Sequence, residues 1–238
     1  MRDTDYAYGV ARVRANENSL LSPSDTEQLI LATGYSDALR ILADKGWQIP
    51  ESGTDFSAML ENESNKTWHL LTEAAPDMIV FNALIITNDF HNLKAALKST
   101  FSNEEPSLFF VEPSVMPAEL IGEAVGTKNF DLLPEYMRTS ADEAYDAIVR
   151  LASGRLADII IDVAALNTKL RMAKESGSAL LLDIAELACA ASNIKTAVRS
   201  AKIGKDSEFM KRTMCECDIL DSDGLIEAAL AGESELIG

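Results

Sequence analysis

Apolar residues along this chain recur at spacings of three and four, the period of an α-helix buried on one side. Ser24-Asp25-Thr26-Glu27 has the form of a capping box and predicts a helix start, with Leu29, Ile30 and Ala32 on the buried side. Tyr35, Leu39 and Leu42 continue the helical spacing as far as Gly46. A second helix is predicted over 55–73, carrying Phe56, Met59, Leu60 and Leu70. Pro76 suits the first turn of a long helix that reaches Phe101. Ile79-Val80-Phe81 and Ile85-Ile86 within it are strand formers, but strands rarely exceed ~10 residues and this stretch has no turn signal. Further helices are predicted near 117–125, 129–153, 156–175, 177–203, 206–214 and 222–231, with Leu108 to Val111 as a short extended piece. The chain reads as all-α.

Within that pattern lies an internal repeat. Asn92-Leu93-Lys94-Ala95-Ala96-Leu97-Lys98-Ser99 returns 101 residues later as Asn193-Ile194-Lys195-Thr196-Ala197-Val198-Arg199-Ser200. Leu120-Ile121-Gly122-Glu123-Ala124-Val125 is echoed by Leu225-Ile226-Glu227-Ala228-Ala229-Leu230 at an offset of 105. Glu27-Gln28-Leu29-Ile30 against Ala118-Glu119-Leu120-Ile121 is a weaker third echo. Two matches in the same order predict duplicated helical units: 1–101, 102–203 and the beginning of a third at 204–238. Leu93 with Leu97, and Ile194 with Val198, are four apart and predicted to face the core. Lys94 with Lys98, and Lys195 with Arg199, form a second, exposed or carboxylate-paired face. They fall late in their helices, where cations suit the dipole. The third unit has no long closing helix, so Ile219, Leu220, Leu225, Ile226 and Leu230 are expected to pack back on the second unit or against another molecule.

Composition narrows the function. The 238 residues carry 21 Lys plus Arg against 38 Asp plus Glu, a formal charge of −17. That field repels polyanions, so neither nucleic acid nor an anionic lipid surface is an expected partner. No apolar run approaches the ~18 residues of a membrane span. Met1-Arg2-Asp3-Thr4-Asp5 leads into no apolar stretch, which predicts no signal peptide and a cytoplasmic protein. The sequons at Asn62 and Asn65 then carry no meaning. Cys189, Cys215 and Cys217 are too few for a disulfide framework. With only His69 and His91 as further soft ligands, far upstream, no zinc site is expected.

Catalytic motifs are missing as well. The sequence contains no Gly-x-Ser-x-Gly, no His-Glu-x-x-His and no glycine-rich dinucleotide turn. Gly204-Lys205 is no phosphate loop, because Arg199 holds the earlier glycine position and Asp206 follows the lysine. Asp89 and His91 are near in sequence, yet neighbouring helical positions diverge and make no dyad.

Tyr6-Ala7-Tyr8-Gly9-Val10-Ala11-Arg12-Val13-Arg14-Ala15-Asn16-Glu17, followed by Leu20-Leu21, resembles the opening of the C-type (AC39) central-stalk family of bacterial and archaeal V/A-type ATPases, whose eukaryotic homologue is the d-type protein of V-ATPases. Asn88-Asp89-Phe90-His91-Asn92-Leu93-Lys94 is similar to that family's distinctive segment, and Ala191-Ser192-Asn193-Ile194-Lys195-Thr196 with Arg199 to its second copy. Asp158-Ile159-Ile160-Ile161-Asp162 resembles the segment between them. The resemblance implies a funnel-like or wedge-like helical array with no active site and no cofactor. It implies a socket joining the central shaft to the membrane proteolipid ring, with membrane contact only through the ring. Arg12, Arg14, Glu17, Asp89, His91, Asn92, Lys94, Asn193, Lys195 and Arg199 are the motif residues it marks as structural or interface positions. It also implies a third unit of which this chain has only the start. Two other readings stand beside it: a helical-repeat adaptor that binds proteins, and an enzyme whose site gathers scattered carboxylates with His69 or His91.

Overall fold

The computed structural model describes residues 6–49, 56–102 and 104–232, and among these helix is the only regular structure. The chain divides into two compact units, 1–78 and 79–238.

In the first unit α1 (Ala7–Glu17) packs on α4 (Phe56–Ala74), with the short helices α2 (Pro23–Ile30) and α3 (Tyr35–Asp44) between them in sequence. The capping box lies two residues earlier than its predicted place. Ser22 caps α2, its hydroxyl accepting from the Asp25 amide while Asp25 accepts from the Ser22 amide, and Pro23 takes the first helical position. Ile30 is correspondingly exposed, not buried. Gly34 breaks the helix before Tyr35, and Gly46 turns the chain after it at φ +85°. Residue 55, the expected start of the next helix, lies outside the described residues. Of its four expected core residues Met59 is buried, Leu70 half-buried, and Phe56 and Leu60 are exposed. Gly9 is the buried residue of α1, and a Cβ there would stand 2.6 Å from the Ala74 carbonyl oxygen. The two backbones touch at that point.

The second unit opens on the long helix α5 (Ile79–Ser102); Pro76 lies in the break before it rather than in its first turn. A 3-10 turn (Pro106–Phe109) and an extended segment lead to α6 (Ala118–Gly126). Phe109 therefore ends a turn, and the extended stretch begins one residue later. A second 3-10 turn over Phe130–Leu132 replaces the first residues of the helix predicted from 129. Then come α7 (Glu135–Leu151), α8 (Gly154–Ser176), α9 (Ala179–Lys202), α10 (Ser207–Thr213) and α11 (Ser222–Ala231). Ser153, Ser178, Asp206 and Asp221 cap the last four by accepting a first-turn amide.

The main core is built where α5, α6, α7 and α8 meet, from Ile86, Phe90, Leu93, Leu97, Ile121, Val125, Met137 and Ile161. Ala141, Ala144 and Ala147 of α7 join Ala157 and Ala165 of α8 in it, and such small side chains let helices approach closely. A second cluster joins α8 to α9 through Leu170, Ala173, Leu181, Ala185 and Cys189. A third seats Ala197 against Met210, Met214, Ile226 and Ala229.

The repeated pattern occupies unequal surroundings. Leu93 and Leu97 are buried as expected, whereas Ile194 is exposed and Val198 half-buried. The reason lies in the neighbours: α5 is packed by α6 and α8 together, while α9 turns Ala185, Cys189, Asn193 and Ala197 inward. Ile226 is buried and Leu220 and Leu225 are half-buried, but Ile219 and Leu230 are exposed.

Truncation should expose this inequality. Leu93→Ala is expected to cost about 2–5 kcal/mol, since it opens a cavity in a closed core. Ile194→Ala at the matching position should stay within about 0.5 kcal/mol, as for exposed sites generally. Urea denaturation of both variants measures the difference.

Candidate functional site

Polar residues of the Asn88 to Asn92 stretch have an unexpected common task. Each binds the backbone of the extended segment that crosses α5 between the 3-10 turn and α6. Asn92, fully buried, donates to the Val111 carbonyl at 3.1 Å and accepts from the Val111 amide at 2.8 Å. Asn88 donates to the Pro113 carbonyl at 2.8 Å, and His91 Nε2 donates to the Phe109 carbonyl at 3.1 Å. Asp89, also fully buried, accepts from the Val115 and Met116 amides at 2.7 and 3.1 Å and from the Tyr136 hydroxyl at 3.0 Å. Phe90 points into the core among them. Successive helical turns thus hold an extended segment whose peptide groups have no strand to pair with.

Burial pushes the Asp89 carboxyl above the usual carboxylate range, only partly offset by the Val115, Tyr136 and Met116 donors. Burial and the adjacent Asp89 charge raise the Tyr136 phenol as well, so it remains a donor. Asp89 and His91 do not form a dyad: each is committed to different backbone atoms.

A second clamp stands on α9. Asn193, fully buried, donates to the Cys215 carbonyl and accepts from the Cys215 amide, both at 2.9 Å. The segment between α10 and α11 is further fixed by Glu186, which accepts from the Asp218 amide at 2.9 Å, and by Asn167, which accepts from the Glu216 amide at 2.9 Å. Position 190, which matches Asp89 in the 101-residue register, is alanine. The carboxylate comes instead from Glu186, one turn earlier. Hydrogen bonding with Cys189, together with burial, pushes the Cys215 thiol up, so it stays protonated at neutral pH. Among the described residues no group of three His, Cys, Asp or Glu side chains converges to hold a metal ion.

The basic pairs behave differently in the two places. Lys94 and Lys98 reach Asp162 and Asp158 of α8. Lys195 and Arg199 remain exposed. In the first unit Arg12 pairs with Glu73 at 3.0 Å and Arg14 with Glu17 at 2.9 Å, both on the surface and worth little individually. His69 lies beside Glu73 at 3.4 Å and is largely exposed. The structure therefore brings Asp89, His91 and Asn92 to one segment, places Asn193 at another, and leaves Arg12, Arg14 and Glu17 in the separate first unit. Asn88, Tyr136, Asn167 and Glu186 complete the clamps, and the sequence pattern marks none of them as a site residue. Tyr136 and Asn167 come from helices distant in sequence, so only three-dimensional contact could identify them.

Removing a clamp should cost stability. Asn92→Ala and Asn193→Ala each strand a buried backbone donor and acceptor and are expected to lose about 2–4 kcal/mol. Lys94→Ala, which breaks a surface pair, should lose no more than about 1 kcal/mol. Chemical denaturation reads all three.

The raised Asp89 carboxyl gives a pH signature. The folded state holds this proton more tightly than the unfolded state, so its contribution is complete below about pH 4 and is lost as pH rises through the elevated folded value. Wild-type stability relative to Asp89→Asn should therefore fall between about pH 4 and neutrality. Urea midpoints measured across that range check the slope.

Comparison with known proteins follows the same residues. The family model described as ATP synthase (C/AC39) subunit matches residues 9–237. The C-type subunit of the V-type sodium ATPase of Enterococcus hirae is 22% identical over 217 residues, which is 90% of this chain and 66% of that protein. The chain thus spans just under two thirds of that relative's length. No solved structure matches.

Proposed function

Because the chain belongs to the ATP synthase (C/AC39) subunit family, we propose that it is a non-catalytic central-stalk subunit of a rotary V/A-type ATPase. In this reading it sits on the cytoplasmic face as a socket between the central shaft and the proteolipid ring. Torque then passes through it during ATP-coupled proton or sodium transport. The observation that carries the reading is the family match across nearly the whole chain.

Three features support it. The polar groups of the family-like segment around Asn92 are engaged in holding backbone, which is the work of a framework rather than of a reaction. No helix among the described residues is long and apolar enough to cross a membrane, so contact with the bilayer would pass through the ring. A part that carries torque must resist deformation, and closely packed long helices do so.

The reading is tested with the intact chain tagged in its native host. Affinity capture should recover the shaft subunits and the ring in roughly equal amounts, together with ATPase activity. Recovery of neither set, with the chain folded, would sink the assignment. Asn92→Ala should weaken recovery only as far as it unfolds the chain.

A further inference from the structure

α5 and α9 carry one pattern in one register, but the matching faces meet different fates. At the 101-residue offset, Ala83, Ile86, Phe90, Leu93 and Leu97 correspond to Ile184, Leu187, Ala191, Ile194 and Val198. All five on α5 are at most 1% exposed. On α9, Leu187 is 61%, Ile194 44% and Ile184 39% exposed, Ala191 is exposed and Val198 is half-buried. With Leu180, also exposed, these residues alternate four and three apart, the spacing of a helix-pairing seam.

The structure contains the template for what covers such a seam. On α5 the cover is α8, which runs antiparallel to it. Ala157, Ile161 and Ala165 close over the apolar face. At the edge Asp162 pairs with Lys94 and Asp158 with Lys98. Lys195 and Arg199 stand beside the α9 seam at the positions of Lys94 and Lys98. Both are exposed, and neither has an ion pair among the described residues. Arg155, across the neighbouring groove between α8 and α9, adds a further cation to that edge.

We propose that this face of α9 is a docking surface for an amphipathic helix of a partner protein, running antiparallel to α9 and carrying two acidic side chains four residues apart along one edge. The span from Leu180 to Val198 calls for about five turns of helix. The apolar seam supplies attraction, which the chain's overall charge of −17 would deny an acidic partner at long range. The two ion pairs set direction and register. This surface stands apart from the socket assignment and does not depend on it.

The probe is a labelled synthetic peptide of residues 154–176, held helical by a side-chain staple on the face away from Ala157, Ile161 and Ala165. Fluorescence anisotropy against the full chain should show saturable binding. Leu187→Glu, or Lys195→Glu together with Arg199→Glu, should weaken it at least tenfold. A peptide with Asp158→Lys and Asp162→Lys should lose binding to the wild-type chain and regain it with the doubly reversed one. These positions are exposed in the chain, and unchanged thermal melts verify that the variants fold. Absence of saturable binding, indifference to Leu187→Glu, or failure of the charge exchange overturns the proposal. So does a sedimenting dimer that Leu187→Glu dissociates and the peptide does not, since the seam would then belong to a second copy.

Discussion

A core made only of helices has no sheet to receive a chain that must cross it extended. The peptide groups of such a crossing lose water and need partners, or each costs on the order of 1–3 kcal/mol. This protein meets that constraint with side chains. Asn88, Asp89, His91 and Asn92 sit on adjoining turns of α5 and hold residues 109–116 by their backbone atoms. Once that segment is fixed, α6 and then α7 are delivered against α5, and the apolar core closes between them. Tyr136, reaching back from α7 to Asp89, ties the last of these elements to the first.

The second crossing shows that the solution tolerates substitution as long as the stereochemistry survives. Asn193 keeps its bidentate hold on Cys215. The nearby carboxylate has moved from the position of Asp89 to Glu186. α8 has a place in both arrangements: one side closes the core with α5 and α7, and another meets α9 through Leu170, Ala173, Leu181 and Cys189. Its alanines allow that double engagement, because small residues on both flanks let neighbours approach without an intervening layer of large side chains.

Much of this is legible in the sequence. The helices of the second unit lie close to where periodicity places them, and α11 has the predicted limits. The Asn92 segment stands out through its repetition. What the pattern misplaces has physical causes. Ser22 outcompetes Ser24 as a cap because Pro23 then falls at the first helical position and Asp25 can return the bond. Pro76 remains outside α5, and the 3-10 turn at Phe130 precedes a helix that starts only after Pro134. Ile194 reads as a core residue because it is apolar and four residues from Val198, but periodicity records which side of a helix is apolar and not how many neighbours surround it. The meaning of the polar motif is hidden for a similar reason: backbone acceptors bear no residue-type signature, so nothing in the sequence marks Val111 or Cys215 as the partners.

The joint between α1 and α4 has a mechanical consequence of its own. α1 exposes Tyr8, Val10 and Val13, so no apolar stripe dictates which way it faces. Its orientation is fixed sterically, by the notch that Gly9 leaves for the Ala74 carbonyl. Sliding or rolling α1 along α4 would bring Tyr8 or Val10, each with a Cβ, against an oxygen that leaves no room for one. Few buried side chains oppose pulling the helices apart. The joint is therefore stiff in shear and compliant in tension, a directional elasticity set by a single missing methyl group.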